Sequence, residues 1–430
     1  MEYSEEQKEI LNETSNFVQV VAAAGSGKTS TMVALLEKIV KENSENQSEI
    51  LVITFTRKAT AEIKERLEKR ISTNRIRIHT FHAYSLSVLE RFHPRFQNSK
   101  TKIVEPNEKE KICREFLQQQ RFKVGGIPYE FLLKEEDSIL EKIFPELHQE
   151  MLQNYIQWKL KENKLDFSDL VKFYLEGLET DESWAIKARQ EIKRVIVDEF
   201  QDTDFEQLKW LQLLSPEKLT VVGDDWQAIY GFRGATTEPF LNFRKFFPET
   251  KIHFLTTNYR SLKKIIECSS IPISKNKMNI QKTVKPFRKG NGNVFRMEIK
   301  KNSEFKIFFK LISMKADFRI LCRSNYRIFE LQKLGFPKEN LLTIHSSKGL
   351  EFSTVIVDLT DGWNSGQEKK DSDIQEEERR ILYVALSRAK NNLIIVTNEK
   401  LFPGRLESLF ASYFRKLNLL ENESLVASLD

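Results

Sequence analysis

Residues Phe17 to Ser30 read FVQVVAAAGSGKTS, and the fold follows from this stretch. It opens on an apolar run, passes through a glycine-rich centre, and is followed by Met32, Leu35, Leu36 and Ile39 at helical spacing. Strand, loop and helix in that order make a phosphate-binding unit. Gly25 and Gly27 let the backbone N–H groups of Ala24, Gly25, Ser26 and Gly27 curl around an anion at a helix N-terminus. Lys28 adds a positive charge for the β and γ phosphates, and Thr29 supplies a hydroxyl for magnesium. The stretch is a P-loop with Ala22 where the pattern usually has its first glycine.

A second strand is expected at Leu51 to Phe55, before a charged helix on which Ile63, Leu67 and Ile71 recur every four residues. The βαβ pattern implies a parallel sheet. From about Pro106 to Lys193 the texture becomes helical and rich in Lys, Glu, Leu and Phe, which reads as an insertion. Strand signals return at Arg194 to Val197 and Leu219 to Val222, so the first sheet resumes and its domain is discontinuous. Beyond Ser261, a lysine-rich, turn-prone stretch (Lys275 to Asn293) precedes strands at Phe318 to Cys322, Thr354 to Val357 and Leu393 to Val396. A second α/β domain is the economical reading.

The strand Val195, Ile196, Val197 ends in two acids, Asp198 and Glu199. Acid pairs on exposed loops are usually solvated; a pair closing an apolar strand in a chain with a P-loop points to hydrolysis. Asp198 can hold magnesium and Glu199 can polarise the attacking water. A simple nucleotide binder has no need of Glu199.

Composition bounds the rest. The 430 residues are 40% hydrophobic and 30% charged, as expected of a globular chain with more than one domain. No apolar run approaches the roughly 18 residues of a membrane span, and the acidic N-terminus lacks the order of a signal peptide, so no membrane partner and a cytoplasmic location are expected. Cys113, Cys268 and Cys322 lie far apart, which favours buried thiols over a zinc site or a disulfide framework. The net charge of +6 favours a polyanionic partner.

In order, the chain shows YSEEQ ending in Gln7, AAAGSGKT, ITFTRKAT (Ile53 to Thr60), HTFHAYSLSVL (His79 to Leu89), LDFSDLV (Leu165 to Val171) and VDEFQDT. VVGDDWQAIYGFRGA (Val221 to Ala235), LTTNYRS (Leu255 to Ser261), LCRSN (Leu321 to Asn325), TIHSSKGLEF (Thr343 to Phe352) and EERRILYVALSRAK (Glu377 to Lys390) follow. This series resembles the UvrD/Rep/PcrA group of superfamily 1A DNA helicases over nearly the whole chain. The resemblance implies an α/β fold of two RecA-like domains with parallel sheets, plus a helical insertion in the first. It implies 3′→5′ movement on single-stranded DNA, with ATP and Mg²⁺ as cofactors and ATP hydrolysed where the two RecA-like domains meet.

By the same resemblance, Arg260 and Arg388 are arginine-finger candidates and Gln227 senses the γ phosphate. Gln7 reads adenine, Tyr259 stacks on it and Glu351 approaches the ribose. Ser30 stands where close relatives often carry an arginine near the base. Nucleic acid needs aromatic faces and nearby cations, and Phe55, His82, Tyr230, Phe232 and Arg233 fall at the family's DNA-contact positions, with His345 a further candidate. Aromatics at regular spacing are more often core, which is the competing reading for Phe55 and His82.

The resemblance divides the chain into domain 1A (residues 1–90 and 194–261), helical domain 1B (91–193) and domain 2A (262–430). About eighty residues separate Ser261 from Thr343, leaving no room for the accessory 2B domain of longer relatives, and the length leaves none for a fused nuclease. Translocation on one strand is therefore expected over processive unwinding, with a 3′-tailed duplex as a further substrate. The competing function is an ATP-gated DNA-binding subunit of a repair or phage-defence complex, whose partner, such as a nuclease, performs the chemistry. A small-molecule kinase would leave both arginines and the aromatic loop unexplained.

Overall fold

The computed structural model describes residues 3–42, 49–72, 74–97, 102–123, 129–133, 139–299, 304, 318–360, 372–397, 413 and 418–419. The chain forms two compact units. The first comprises Met1–Ala22, Lys28–Asp224 and Tyr230–Leu255; the second comprises Ala23–Gly27, Asp225–Ile229 and Thr256–Asp430.

In the first unit, strands β1 (Phe17–Ala22), β2 (Glu49–Ile53), β3 (Ile76–His79), β4 (Ile192–Val197), β5 (Lys218–Gly223) and β6 (Lys251–Leu255) form one sheet in the order β3-β2-β4-β5-β1-β6. All its pairings are parallel. The central strands are covered on both faces and run largely apolar over their buried residues, whereas the edge strands β3 (IRIH) and β6 (KIHFL) carry polar, part-exposed positions. Gln19 is the polar exception in β1, 1% exposed, and its side-chain amide donates to the Phe240 carbonyl at 2.6 Å. The helix Lys28–Glu42 buries Met32, Leu35, Leu36 and Ile39 against Val52 and Ile196.

The expected second strand lies two residues earlier than its apolar letters suggest. Phe55 is outside β2, because the chain bends at Phe55 and Thr56, and Thr56 caps the helix Arg57–Glu68 by accepting the Ala59 amide. Ile71 falls beyond that helix. Between β3 and β4 the regular elements among the described residues are helices, joined by turns and one isolated bridge, Ile103 to Leu165. This insertion has its own core of Val104, Cys113, Phe116, Leu117, Leu140, Met151 and Tyr155.

In the second unit, β9 (Asn293–Glu298), β10 (Phe318–Cys322), β11 (Leu341–Thr343), β12 (Phe352–Asp358), β13 (Ala389–Thr397) and β14 (Asn418–Leu419) form a second parallel sheet, ordered β11-β10-β12-β13-β9-β14. A two-stranded ribbon pairs β7 (Thr257–Asn258) with β8 (Lys285–Pro286). The architecture is α/β with two parallel sheets, as the sequence leads one to expect. Cys113, Cys268 and Cys322 are buried thiols, and burial pushes the pKa of the Cys268 thiol up to about 12.

Candidate functional site

In the first unit, β4 delivers Asp198 and Glu199 at its C-terminal end. Asp198 is 6% exposed, and its Oδ1 accepts the Glu199 amide at 3.0 Å. Glu199 adopts φ 53°, in the left-handed region that non-glycine residues rarely enter. This turn ends the strand and leaves the Glu199 carboxylate between two partners. Gln201 Nε2 donates to its Oε2 at 2.5 Å, and Lys28 Nζ lies 3.5 Å from its Oε1. Gln201 is itself fixed, since its Oε1 accepts the Asp224 amide at 2.9 Å. Gln7 is buried at the start of the helix Glu5–Asn12, where its Oε1 accepts the Ser4 amide and its Nε2 donates to Thr31 Oγ1 at 3.2 Å. Thr29 and the exposed Ser30 lie in the first turn of the Lys28 helix.

The second unit holds the glycine-rich segment Ala23–Gly27 against the NYRS segment. Asn258 Nδ2 donates to the Ala24 carbonyl at 2.9 Å, and the Tyr259 amide donates to the Gly25 carbonyl at 2.8 Å. The Ala24 amide donates to the Tyr383 hydroxyl at 3.4 Å. Gly25 has φ +70°, and a Cβ there would lie 2.7 Å from Arg260 Cβ, so neither the conformation nor the space admits a side chain.

Arg260 Nε donates to Glu351 Oε2 at 2.9 Å and its Nη1 to the Ser387 carbonyl at 3.0 Å. Burial opposes ionisation of Glu351, but Lys390 and Arg260 outweigh it and hold the carboxyl below its usual range. Arg388 is 1% exposed, and its Nη2 reaches Gln227 Oε1 at 2.9 Å. Its Nε and Nη1 are used by the Val384 and Leu350 carbonyls. The Tyr259 ring lies 4.7 Å from that of Phe287.

Three of the aromatic candidates meet in the first unit. Phe55 stacks on Tyr230 with centroids 5.0 Å apart, Tyr230 is 5.9 Å from Phe232, and the Arg233 guanidinium lies 5.5 and 5.3 Å from the Tyr230 and Phe232 centroids. His82 has a different neighbour, Phe167, edge to face at 6.0 Å. Burial lowers the pKa of His82, with Asp166 opposing, which favours the neutral ring. His345, in the second unit, is 5% exposed.

Residues 3–248 match the family model described as the UvrD/REP helicase N-terminal domain, more than half of the chain, and residues 332–400 match the UvrD-like helicase C-terminal domain. The chain belongs to the UvrD/Rep helicase family. Over 375 residues it is 29% identical to the ATP-dependent DNA helicase Rep of Buchnera aphidicola subsp. Acyrthosiphon pisum, covering 81% of this chain and 58% of that protein. Over 292 residues it is 30% identical to the ATP-dependent DNA helicase PcrA of Staphylococcus aureus strain Mu50, covering 63% of this chain and 40% of that protein. The chain thus spans well under two thirds of the length of these curated relatives.

In this family member, two groups touching the glycine-rich segment escaped the reading of the sequence. Asn258 lies inside the NYRS segment, but a buried asparagine carries no periodic signal. Tyr383 falls within the buried run Ile381–Leu386 of its helix, which hides a hydroxyl aimed at a backbone amide. Asp225 is likewise engaged by a distant residue, Lys282, at 2.7 Å.

Proposed function

We propose that the chain is an ATP-dependent motor that moves 3′→5′ on single-stranded DNA, with domains 1A, 1B and 2A divided as the motif order implies. The observation that carries the ATPase reading is the pair Lys28 and Glu199, 3.5 Å apart at the ends of the phosphate loop and of β4. The γ phosphate of ATP competes for the Lys28 charge, and Glu199 is then left to polarise water from the position Gln201 fixes. The Ser26 hydroxyl is buried in the glycine-rich segment with no hydrogen-bond partner among the described residues, a donor suited to a phosphate oxygen. Thr29 and Asp198 offer hard oxygen donors of the kind Mg²⁺ takes alongside phosphates and water, and the ion would neutralise phosphate charge there. Arg260 and Arg388 are the cations for the charge that develops on the γ phosphoryl.

For nucleic acid, the Phe55, Tyr230 and Phe232 rings with Arg233 beside them combine stacking faces and a cation. The family membership and the relatives named DNA helicases support DNA as the polymer.

ATP turnover of the whole chain with single-stranded DNA, single-stranded RNA and duplex DNA tests the reading. Strong stimulation by single-stranded DNA is expected, with Lys28→Ala losing at least about 100-fold in turnover while keeping most DNA binding. Normal turnover by Lys28→Ala would refute the site.

A further inference from the structure

Asn258 uses both ends of its side-chain amide, in the dark of the second unit at 4% exposure. Its Nδ2 donates to the Ala24 carbonyl at 2.9 Å, and its Oδ1 accepts the backbone amides of Arg260 and Ser261, both at 2.8 Å. Two N–H groups on one side and a carbonyl on the other fix which end of the amide is which. One rigid planar group therefore ties the glycine-rich segment to the backbone from which the Arg260 side chain starts. The tie is close, since a Cβ at Gly25 would lie 2.7 Å from Arg260 Cβ and 3.0 Å from Asn258 Oδ1. Further out, the guanidinium is held by Glu351 and the Ser387 carbonyl, so root and tip of the arginine are both anchored.

We propose that Asn258 is a positioning residue for ATP turnover, setting the root of Arg260 at a fixed distance from the phosphate loop. This rests on the ATPase reading above. A cation that stabilises developing phosphoryl charge acts only when its geometry is preset, so loosening its root lowers the rate of the chemical step more than the affinity for the ground state. Aspartate cannot replace asparagine here. It keeps the two acceptor bonds but turns an oxygen toward the Ala24 carbonyl, until protonation gives that oxygen a hydrogen to donate.

The test uses the full chain with ATP and single-stranded DNA, comparing wild type, Lys28→Ala, Asn258→Asp, Arg260→Ala and the Asn258→Asp/Arg260→Ala double variant. At pH 8, Asn258→Asp is expected to lose roughly 30- to 100-fold in kcat with KM changed by less than about threefold. Burial and the facing Ala24 carbonyl raise the pKa of the introduced carboxyl against the two backbone amides that lower it, so its activity relative to wild type is expected to rise by about fivefold or more between pH 8 and pH 6. The double variant is expected to turn over no more slowly than Arg260→Ala, because both changes act through one guanidinium. Wild-type kcat in Asn258→Asp, additive losses in the double variant, or a drop in melting temperature with unchanged turnover per folded molecule would each overturn the proposal. An active wild type with inactive Lys28→Ala keeps the ATPase reading whatever Asn258 does; an inactive wild type overturns both.

Discussion

The role proposed for Phe232 rests on its neighbours. Its ring is half-buried on the short turn Gly231–Arg233, next to Tyr230 and under the Arg233 guanidinium. Replacing it with alanine is expected to remove roughly 1 to 3 kcal/mol of base stacking. An anisotropy titration with labelled single-stranded DNA reads this, and an unchanged affinity returns Phe232 to mere packing against Tyr230. Phe55 was readable as a candidate only through its motif. Its letters fit a strand, but it stands beyond the end of β2, where the turn into the next helix brings its ring onto Tyr230.

Two elements are held by charges that a pattern of apolar spacing does not reveal. In the helical insertion, Asp166 caps the helix Phe167–Glu179, and the Lys159 ammonium lies 2.9 Å from its Oδ2 and 2.8 Å from Asp169 Oδ2. Burial would raise the Asp166 pKa, but Ser168 and Lys159 outweigh it and hold the carboxyl at about 2, below its ordinary 3.8. The native state therefore gives up this proton more readily than the unfolded chain. Its contribution, on the order of 2 kcal/mol, is complete above about pH 4 and is lost as the pH falls toward 2. Asp166→Asn should flatten the loss of insertion stability over that acid range, seen by circular dichroism; an identical acid transition would remove Asp166 from the account.

The second case is the Lys282 and Asp225 pair, whose side chains are fully buried although the Lys282 backbone reaches the surface. Asp225 also accepts the Ile280 amide, while Trp226 Nε1 donates to the Ile280 carbonyl and the Lys282 ammonium sits 4.7 Å from the Trp226 ring. Lys282→Met leaves a buried carboxylate without its cation, at a cost of about 3 to 5 kcal/mol. Denaturant unfolding should show the loss, with Asp225→Asn/Lys282→Met recovering part of it. If Lys282→Met unfolds at the wild-type midpoint, the pair has no such role.

For the whole molecule, direction and unwinding are separable. A 3′→5′ motor is expected to speed release of streptavidin from a biotin at the 5′ end of single-stranded DNA and not from one at the 3′ end. Faster release at the 3′ end would reverse the assigned polarity. With only about eighty residues between Ser261 and Thr343, strand separation on a 3′-tailed duplex is expected to lag far behind this translocation. Efficient unwinding by the chain alone would remove that expectation.

The two α/β units and their parallel sheets follow from the amino-acid order alone, because strands covered on both faces must be largely apolar and the glycine-rich turn after β1 has few alternatives. The sequence also determined the family, since the motifs keep their order along the chain. Contacts between residues far apart in number were decided only in three dimensions. The Asn258 bridge to Ala24, the Arg388 bond to Gln227 and the Lys282 pairing with Asp225 join positions separated by 234, 161 and 57 residues. Hydrogen-bond partners leave no periodic trace in a sequence, and only the folded backbone brings such donors and acceptors within 3 Å of one another.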